Sequence, residues 1–392
     1  MNERERSLEL LQRIERESLY ASILLLGETG FVRTIVLGVL RWRSRLDSAI
    51  ETLAGRRLSK IDRNVVDVLR IGMYQIGYMN VPPHAAVSET VTLAARHAKR
   101  AKGFVNAVMR KAAAGLPEPA GAAARLAHPQ WLLDRWTKTY GEERALAIAR
   151  ANQELSYPDA LVLSGPPPEG AVPSVLVGDV VRLAGSSADL DRARFHPMDE
   201  GSAVIAAIAA ATGEEILDLA AAPGGKSIFL RHRGRRVVSN DVSISRLRPL
   251  VQRELPVVVS DGRLSPFRRQ FETVLLDAPC SATGTIRKNP EIKWRLRESD
   301  LATFAALQRD LLRSALSLAR DVCVYSTCSL EPEENDVVVQ AVLDADGTFV
   351  AEDVARYAPA GSRPWVERGV LRLTPDSGAD GFTAFVLRRK GR

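Results

Sequence analysis

Two cysteines each precede a serine, Cys280 in DAPCS at 277–281 and Cys328 in STCS at 326–329. With Cys323 they are the only cysteines in 392 residues, too few for a disulfide framework or a zinc site. That scarcity fits a reducing compartment, and the chemistry expected of these thiols is nucleophilic. Cys323 lies inside the apolar run DVCVY, two residues before Tyr325 on the same strand face, so it reads as a small core residue. Four acidic residues, Asp218, Asp241, Asp261 and Asp277, fall at or near the ends of β-like runs. Each alone reads equally well as a strand-end or helix cap; only their joint placement along one sheet edge favours ligand binding. In LDLAAAPGGKS at 217–227, Gly224 and Gly225 let the backbone turn tightly and approach a ligand before a helix begins at Lys226. A triphosphate-binding P-loop needs glycine at position 220, which is Ala220, and the GxGxxG of dinucleotide folds is absent. Asp241 nevertheless stands where such folds hold ribose hydroxyls, which points to a nucleoside-bearing ligand without a pyrophosphate.

The elements that must position these residues follow from periodicity. Five β-rich runs, EEILDLA, RRVVSND, PVVVSD, ETVLLDAP and DVCVYST, alternate with helix-length segments. That alternation predicts a Rossmann-like, doubly wound α/β domain over residues 201–392, with a parallel sheet covered on both faces and ligands at the carboxyl ends of its strands. Residues 1–120 read instead as an all-α domain. Val65, Val66, Leu69, Met73 and Ile76 recur at helical spacing behind a capping Asp62. Pro82 and Pro83 are expected to end that helix, and further helices are expected from near Ser88 and over GFVNAVMRKAAAG, before GLPEPAGAAA marks a boundary near residue 120. Residues 121–200 read as a small α/β linker subdomain: a helical stretch to Gln153, the Pro- and Gly-rich SGPPPEGAVPS, then β-like SVLVGDVVRLAG.

Charge separates these regions. Residues 1–140 hold 22 Lys and Arg against 13 Asp and Glu, a balance of +9, while the remainder carries 32 against 34. A basic module joined to a nearly neutral one is expected to hold a polyanion on which the other module acts. The apolar runs, such as VIAAIAAA at 204–211, are far shorter than the roughly 20 residues of a membrane span. The N-terminal residues alternate charge with an apolar helical face and lack the pattern of a signal peptide, so a cytoplasmic location is expected, with no membrane partner and no metal. None of the five histidines lies near a cysteine in sequence, so a Cys–His hydrolase has no local support.

Taken together, AAPGGK at 221–226, DAPCS with the downstream NPEIKW, STCS with PEEN, and a closing DGF at 380–382 resemble the Sun-type RNA cytosine-5 methyltransferases. The N-terminal segments IDRNVVDVLRIGMYQIGY, VPPHAAVSETVTLA and GFVNAVMRK look like the helical RNA-binding fold of NusB. That pairing resembles the bacterial enzymes that methylate cytosine in small-subunit (16S) ribosomal RNA. The resemblance implies S-adenosylmethionine as cofactor and ribosomal RNA as partner, with a monomeric enzyme expected. It places Ala220, Ala221, Ala222, Pro223, Gly224, Gly225 and Lys226 against the methionine part, Asp241 at the ribose and Asp261 at the adenine amino group, with Arg246 and Asp277 also at the cofactor.

Cytosine carbon-5 is a poor nucleophile until a thiolate adds to carbon-6, and the carbon-5 proton must later be removed so that the thiol can leave. The resemblance makes Cys328 the nucleophile and gives product release to Cys280; spacing alone shows only that both thiols can reach one site. It also places Asp277 at the base edge, with Lys226 assisting. The basic run Arg287, Lys288, Lys293, Arg295 and Arg297 is expected to touch RNA phosphates. Two other readings remain. An RNA-binding assembly factor that merely senses cofactor is disfavoured by the full set of cysteines and aspartates; a DNA cytosine-5 methyltransferase is disfavoured because the chain has no room for a large target-recognition insertion. The chain departs from the family pattern at Leu161–Gly165, where an Arg-Val-Asn type run is usual, at Met198 in place of glutamine and at Thr383 in place of an aromatic, which bears on RNA contacts rather than on the chemistry.

Overall fold

The computed structural model describes residues 2–17, 19–187 and 190–391. The chain divides into two compact units, residues 1–154 with Ile286–Leu296, and Leu155–Thr285 with Arg297–Arg392.

The first unit is helical: α1 (Glu3–Glu17), α2 (Ala21–Leu24), α3 (Gly30–Ala54), α4 (Arg63–Tyr78), α5 (Pro83–His97), α6 (Lys102–Ala112), α7 (Ala122–Arg125), α8 (Gln130–Tyr140) and α9 (Glu142–Ala151). The Asp62 carboxylate caps α4 by accepting from the Asn64 N–H at 2.9 Å. One turn on, Val65, Val66, Leu69 and Met73 enter a core shared with α1, α3 and α6, as their spacing predicts. Helix α5 starts at Pro83 rather than near Ser88. A proline in the first turn gives up only an N–H that no helix would satisfy, so the Pro pair that closes one helix opens the next.

The unit extends to residue 154, past the boundary expected near 120, and it also takes in residues 286–296. There the Lys293 ammonium is buried and donates to the carbonyls of Arg41 (2.8 Å) and Ala127 (2.7 Å). The Trp294 indole donates to the Leu40 carbonyl at 2.6 Å, and Glu291 accepts from the Ala21 N–H at 3.0 Å. Burial, reinforced by the nearby Arg41 charge, pushes the Lys293 pKa well below its ordinary value. Arg287 is buried as well, and its carbonyl accepts from the Arg41 guanidinium. The basic run expected to meet RNA is thus corrected at two of its five positions: Arg287 and Lys293 are interior groups of the helical unit.

The second unit contains two sheets. The smaller is antiparallel, in the order β2-β3-β1-β4, formed by β1 (Asp159–Val162), β2 (Val172–Pro173), β3 (Val180–Arg182) and β4 (Phe195–Pro197) around Ala160, Val181, Leu183 and Phe195. Within the β-like SVLVGDVVRLAG only Val180–Arg182 is strand. The chain then builds the larger sheet through α10 (Glu200–Ala210), β5 (Glu215–Asp218), α11 (Gly225–His232), β6 (Arg236–Asp241), α12 (Ile244–Val251), β7 (Val257–Val259) and β8 (Phe271–Asp277). After the excursion into the first unit, where residues 292–295 form the single turn α13 (Ile292–Arg295), it continues through α14 (Asp300–Leu318), β9 (Ala319–Thr327), α15 (Asp336–Asp346), β10 (Phe349–Glu352), β11 (Val366–Glu367), β12 (Val370–Leu373) and β13 (Phe382–Arg389).

The sheet order is β11-β12-β13-β9-β8-β5-β6-β7, with β10 paired to β13. The five strands expected from sequence are the parallel ones. Strands β10 to β13 add an antiparallel edge, because no α-helix lies between them to carry a parallel crossover. Separate apolar cores cover the two faces, one with α10 and α11, the other with α14 and α15. Chain order reverses between β5 and β8. The loops after β5, β8 and β9, which hold AAPGGK, DAPCS and STCS, therefore gather where such folds bind ligands. Among the described residues no helix is long and apolar enough to cross a membrane.

Candidate active site

The loop after β5 has the shape the glycine pair demands. Gly224 adopts φ +108°, and a Cβ there would lie 2.4 Å from the Leu250 side chain, so both conformation and space require glycine. Asp241, at the end of β6, accepts from the Ala222 N–H at 3.1 Å and the Ser243 N–H at 3.0 Å, and the Arg246 guanidinium donates to the Ala222 carbonyl at 3.0 Å. The loop and the β6 end are thereby locked together. The loop borders a cavity of about 270 Å³ lined by Asp218, Ala220, Ala221, Ala222, Pro223, Gly225, Lys226 and Asp277 from the sequence-predicted set and by His196, Met198, Asp199 and Ser202.

Within it, Lys226 Nζ donates to Asp277 Oδ2 at 2.7 Å and to Ser202 Oγ at 2.8 Å, and the Ser326 hydroxyl donates to Asp277 Oδ1 at 2.8 Å. The Phe382 ring of DGF lies 5.2 Å from the ammonium, a cation–π distance. Burial works against the Lys226 charge, but the Asp277 carboxylate outweighs it and holds the ammonium pKa above its ordinary value. Asp218 is buried, accepts from the Ser227 hydroxyl at 2.6 Å, and keeps Oδ1 without a hydrogen-bond partner. Burial pushes its pKa up to about 7 against the opposing Ser227 hydrogen bond. A buried acceptor left open on a cavity beside a glycine cradle is a fit for a ligand bearing an ammonium group.

The two thiols meet: Cys280 Sγ and Cys328 Sγ are 3.4 Å apart. The Cys328 hydrogen bond, followed by burial, pushes the Cys280 pKa well above its ordinary value. Cys323 lies in the core, as its place in the strand predicts, with burial pushing its thiol pKa up. Behind the reactive pair, Ser281 N–H (2.8 Å) and Gln308 Nε2 (2.9 Å) donate to Glu334 Oε1, while the Ser281 and Ser329 hydroxyls donate to Oε2. Thr383 donates to the Ser329 carbonyl at 3.3 Å. A Cβ on Gly284 would lie 2.4 Å from the Gly381 carbonyl oxygen, and one on Gly381, the glycine of DGF, would lie 2.8 Å from the Leu330 side chain and 2.9 Å from the Gly284 Cα, so the two segments meet glycine to glycine.

The structure thus joins Asp218, residues 220–226, Asp241 and Arg246 around one loop, and Lys226 to Asp277. Asp261 stands apart: both its oxygens accept from the exposed Arg263 guanidinium, whose hydrogen bonds draw its pKa down to about 2. Sequence reading assigned no role to Ser202, Ser326, Phe382, Gln308 or Glu334. Phe382 and Glu334 were within reach of it, since both lie in the DGF and PEEN runs that mark the resemblance; Ser202 and Gln308 sit on helices with nothing in their surroundings to single them out.

Comparisons with known proteins identify the family and the fold. The profile of the 16S rRNA methyltransferase RsmB/F family matches residues 205–388, and that of the NusB family matches residues 1–114. The chain is 32% identical over 365 residues to ribosomal RNA small subunit methyltransferase B of Escherichia coli O1:K1 / APEC, covering 81% of this chain and 82% of that protein. It is 30% identical to the protein of the same name in Citrobacter koseri, over 87% and 89% of the two chains. The crystal structure of PH0851 matches its fold with a TM-score of 0.79 over 99% of both chains at 22% identity. A methyltransferase homologue from Pyrococcus horikoshii gives 0.54 over 68% of this chain and 97% of that one, at 24% identity. The chain belongs to the RsmB/F family of S-adenosylmethionine-dependent small-subunit ribosomal RNA methyltransferases, and carries a NusB domain ahead of its catalytic one.

Proposed function

We propose that this chain methylates carbon-5 of a cytosine in small-subunit ribosomal RNA through a covalent adduct between Cys328 and carbon-6 of the base. The observation that carries the reading is the 3.4 Å contact of two thiols beside the Lys226–Asp277 pair. S-adenosylmethionine, when bound, supplies the electrophilic methyl group. Residues 220–226 would hold its methionine part, Asp241 its ribose hydroxyls and Asp261, on exchanging Arg263 for the ligand, its adenine amino group, with Arg246 fixing the Ala222 carbonyl behind them.

The Cys328 thiolate adds to carbon-6, and its electron pair makes carbon-5 enamine-like and able to take the methyl group. Asp277, kept in place by Lys226 and Ser326, hydrogen-bonds the base edge as charge moves onto the ring. Once Cys328 is bound in the adduct, its hydrogen bond to Cys280, the chief cause of the raised Cys280 pKa, is gone. Cys280 then gives up its proton to solvent, and its thiolate takes the proton of carbon-5. The electrons of that C–H bond re-form the ring double bond, and Cys328 leaves as a thiolate. The basic helical unit supplies phosphate contacts that keep the RNA in register, and the target base leaves its stack to reach the thiols.

The test is methylation of 16S ribosomal RNA with labelled cofactor, mapped to the nucleotide, in the wild type and two variants. Cys328→Ala is expected to lose all turnover and all covalent RNA. Cys280→Ala is expected to accumulate a protein–RNA band that survives a denaturing gel. A persistent band from Cys328→Ala would exchange the two roles, and label on any atom other than cytosine carbon-5 would refute the reading.

A further inference from the structure

We propose that Glu334 is the positioning residue that holds Cys280 and Cys328 at their working separation; the proposal rests on the two-thiol reading above. Its carboxylate is wholly buried and receives four donors. Two come from Ser281, the residue after Cys280, and one from Ser329, the residue after Cys328. The fourth, Gln308 Nε2, comes from α14 and also donates to the Pro279 carbonyl at 2.9 Å, on the other side of Cys280. One side chain thus binds the residue following each thiol, while Gln308 ties it to the residue before Cys280.

The mounting of Glu334 is itself fixed. Its carbonyl accepts from the Tyr325 hydroxyl at 2.6 Å, within β9. The adjacent Asn335 donates to the carbonyls of Ser329 and Glu331, both at 3.0 Å, and accepts from the Thr327 hydroxyl at 2.7 Å. Four donors fill the lone pairs of a carboxylate, and its complete burial leaves no approach for a base or a proton carrier. Glu334 therefore acts through the thiols rather than on substrate. Two sulfurs that must address adjacent ring atoms tolerate little error, since a displacement of about 1 Å can cost of order 100-fold in rate. Glutamine can keep the contacts at Oε1, and the two serine hydroxyls can turn to accept from its amide, so it should preserve the spacing where alanine does not.

The experiment uses the full chain and reads three quantities: cofactor affinity by calorimetry, kcat and KM for RNA, and the rate at which diamide converts the two thiols to a disulfide. In that last reaction the thiols lose two protons and two electrons to diamide, which becomes the hydrazine. Glu334→Ala is expected to keep cofactor affinity, to slow disulfide formation by about 10-fold or more and to lower kcat by about 100-fold, with KM changed by less than about 3-fold. Glu334→Gln is expected to recover both rates to within about 10-fold of wild type. A folded Glu334→Ala with a wild-type disulfide rate would overturn the proposal, as would a glutamine variant no better than alanine, which would assign the effect to charge. If Glu334→Ala fails to bind cofactor because it has not folded, Ser329→Ala removes a single arm; an unchanged disulfide rate there would also overturn the proposal, and a slowed one supports it. Disulfide formation needs no RNA, so it tests Glu334 even if the wild type forms no RNA adduct and the covalent reading falls.

Discussion

The catalytic unit holds two polar clusters built from similar parts and put to opposite uses. Around Asp277, a carboxylate takes a lysine and a hydroxyl, lines a cavity and leaves its side chain 28% exposed. Around Glu334, a carboxylate takes a backbone N–H, an amide and two hydroxyls and has no exposure at all. The open cluster can exchange partners with a ligand at small cost, because its carboxylate is reached by water that can fill in. The sealed one cannot, because each donor released there would be left unpaired in the interior. Buried polar networks of that kind fix geometry, while exposed ones serve chemistry.

Substitutions at equivalent depth of change should separate the two. Asp277→Asn keeps the shape but removes the charge that holds the buried Lys226 ammonium, so methyl transfer should fall by about 100- to 1,000-fold and cofactor affinity should weaken, with a loss of stability as well from the unpaired charge. Gln308→Ala, in the sealed cluster, should lose about 1–3 kcal/mol in stability by urea denaturation, from the orphaned Glu334 and Pro279 acceptors, with cofactor affinity intact. Equal cofactor affinities in the two variants would erase the distinction.

Asp241 tests whether the locked loop belongs with the open cluster. Asp241→Ala removes a charged acceptor from both the Ala222 and Ser243 N–H groups as well as from the ribose, so calorimetry should show cofactor affinity weaker by about 1.5–3 kcal/mol.

Asp218 is intermediate, sealed from water but open to the cavity. Its folded pKa of about 7 lies above the unfolded value, so its contribution to stability is fully present below about pH 4 and is lost as pH rises to about 7. The stability of the wild type should therefore fall relative to that of Asp218→Asn over that window, by roughly 4 kcal/mol in all in urea denaturation; parallel profiles would mean that Asp218 is ionised throughout. The smallest effect concerns the exposed Lys99, Arg100 and Lys102 of the helical unit. Replacing all three by glutamine should lower the slope of log affinity for RNA against log salt by about 2 if each meets a phosphate.

The parallel strands and the three reactive loops were legible because each strand is a continuous apolar run that stops at a polar, functional residue. The antiparallel edge was not, since β13 reads FTAFVLRR and a run of that kind says nothing about strand direction. The cysteine pair was legible as a pair, but its brace was not. Glu334 reads as one of two acidic residues in PEEN, and only the fold brings Ser281, Gln308 and Ser329 onto it from 53, 26 and 5 residues away. Lys293 misled for a related reason: a lysine in a basic run reads as surface, and its acceptors, the carbonyls of Arg41 and Ala127, lie 252 and 166 residues distant.

That distance has a consequence for how the molecule is made. The helices of the first unit leave the ribosome well before residues 286–296 do, so the carbonyls of Leu40, Arg41 and Ala127 must wait, hydrated, while the first half of the catalytic sheet is still being synthesised. The helical unit is therefore completed late, by a piece of chain that begins six residues after Cys280, and a nascent chain stopped before Trp294 carries neither a finished helical unit nor a usable pair of thiols.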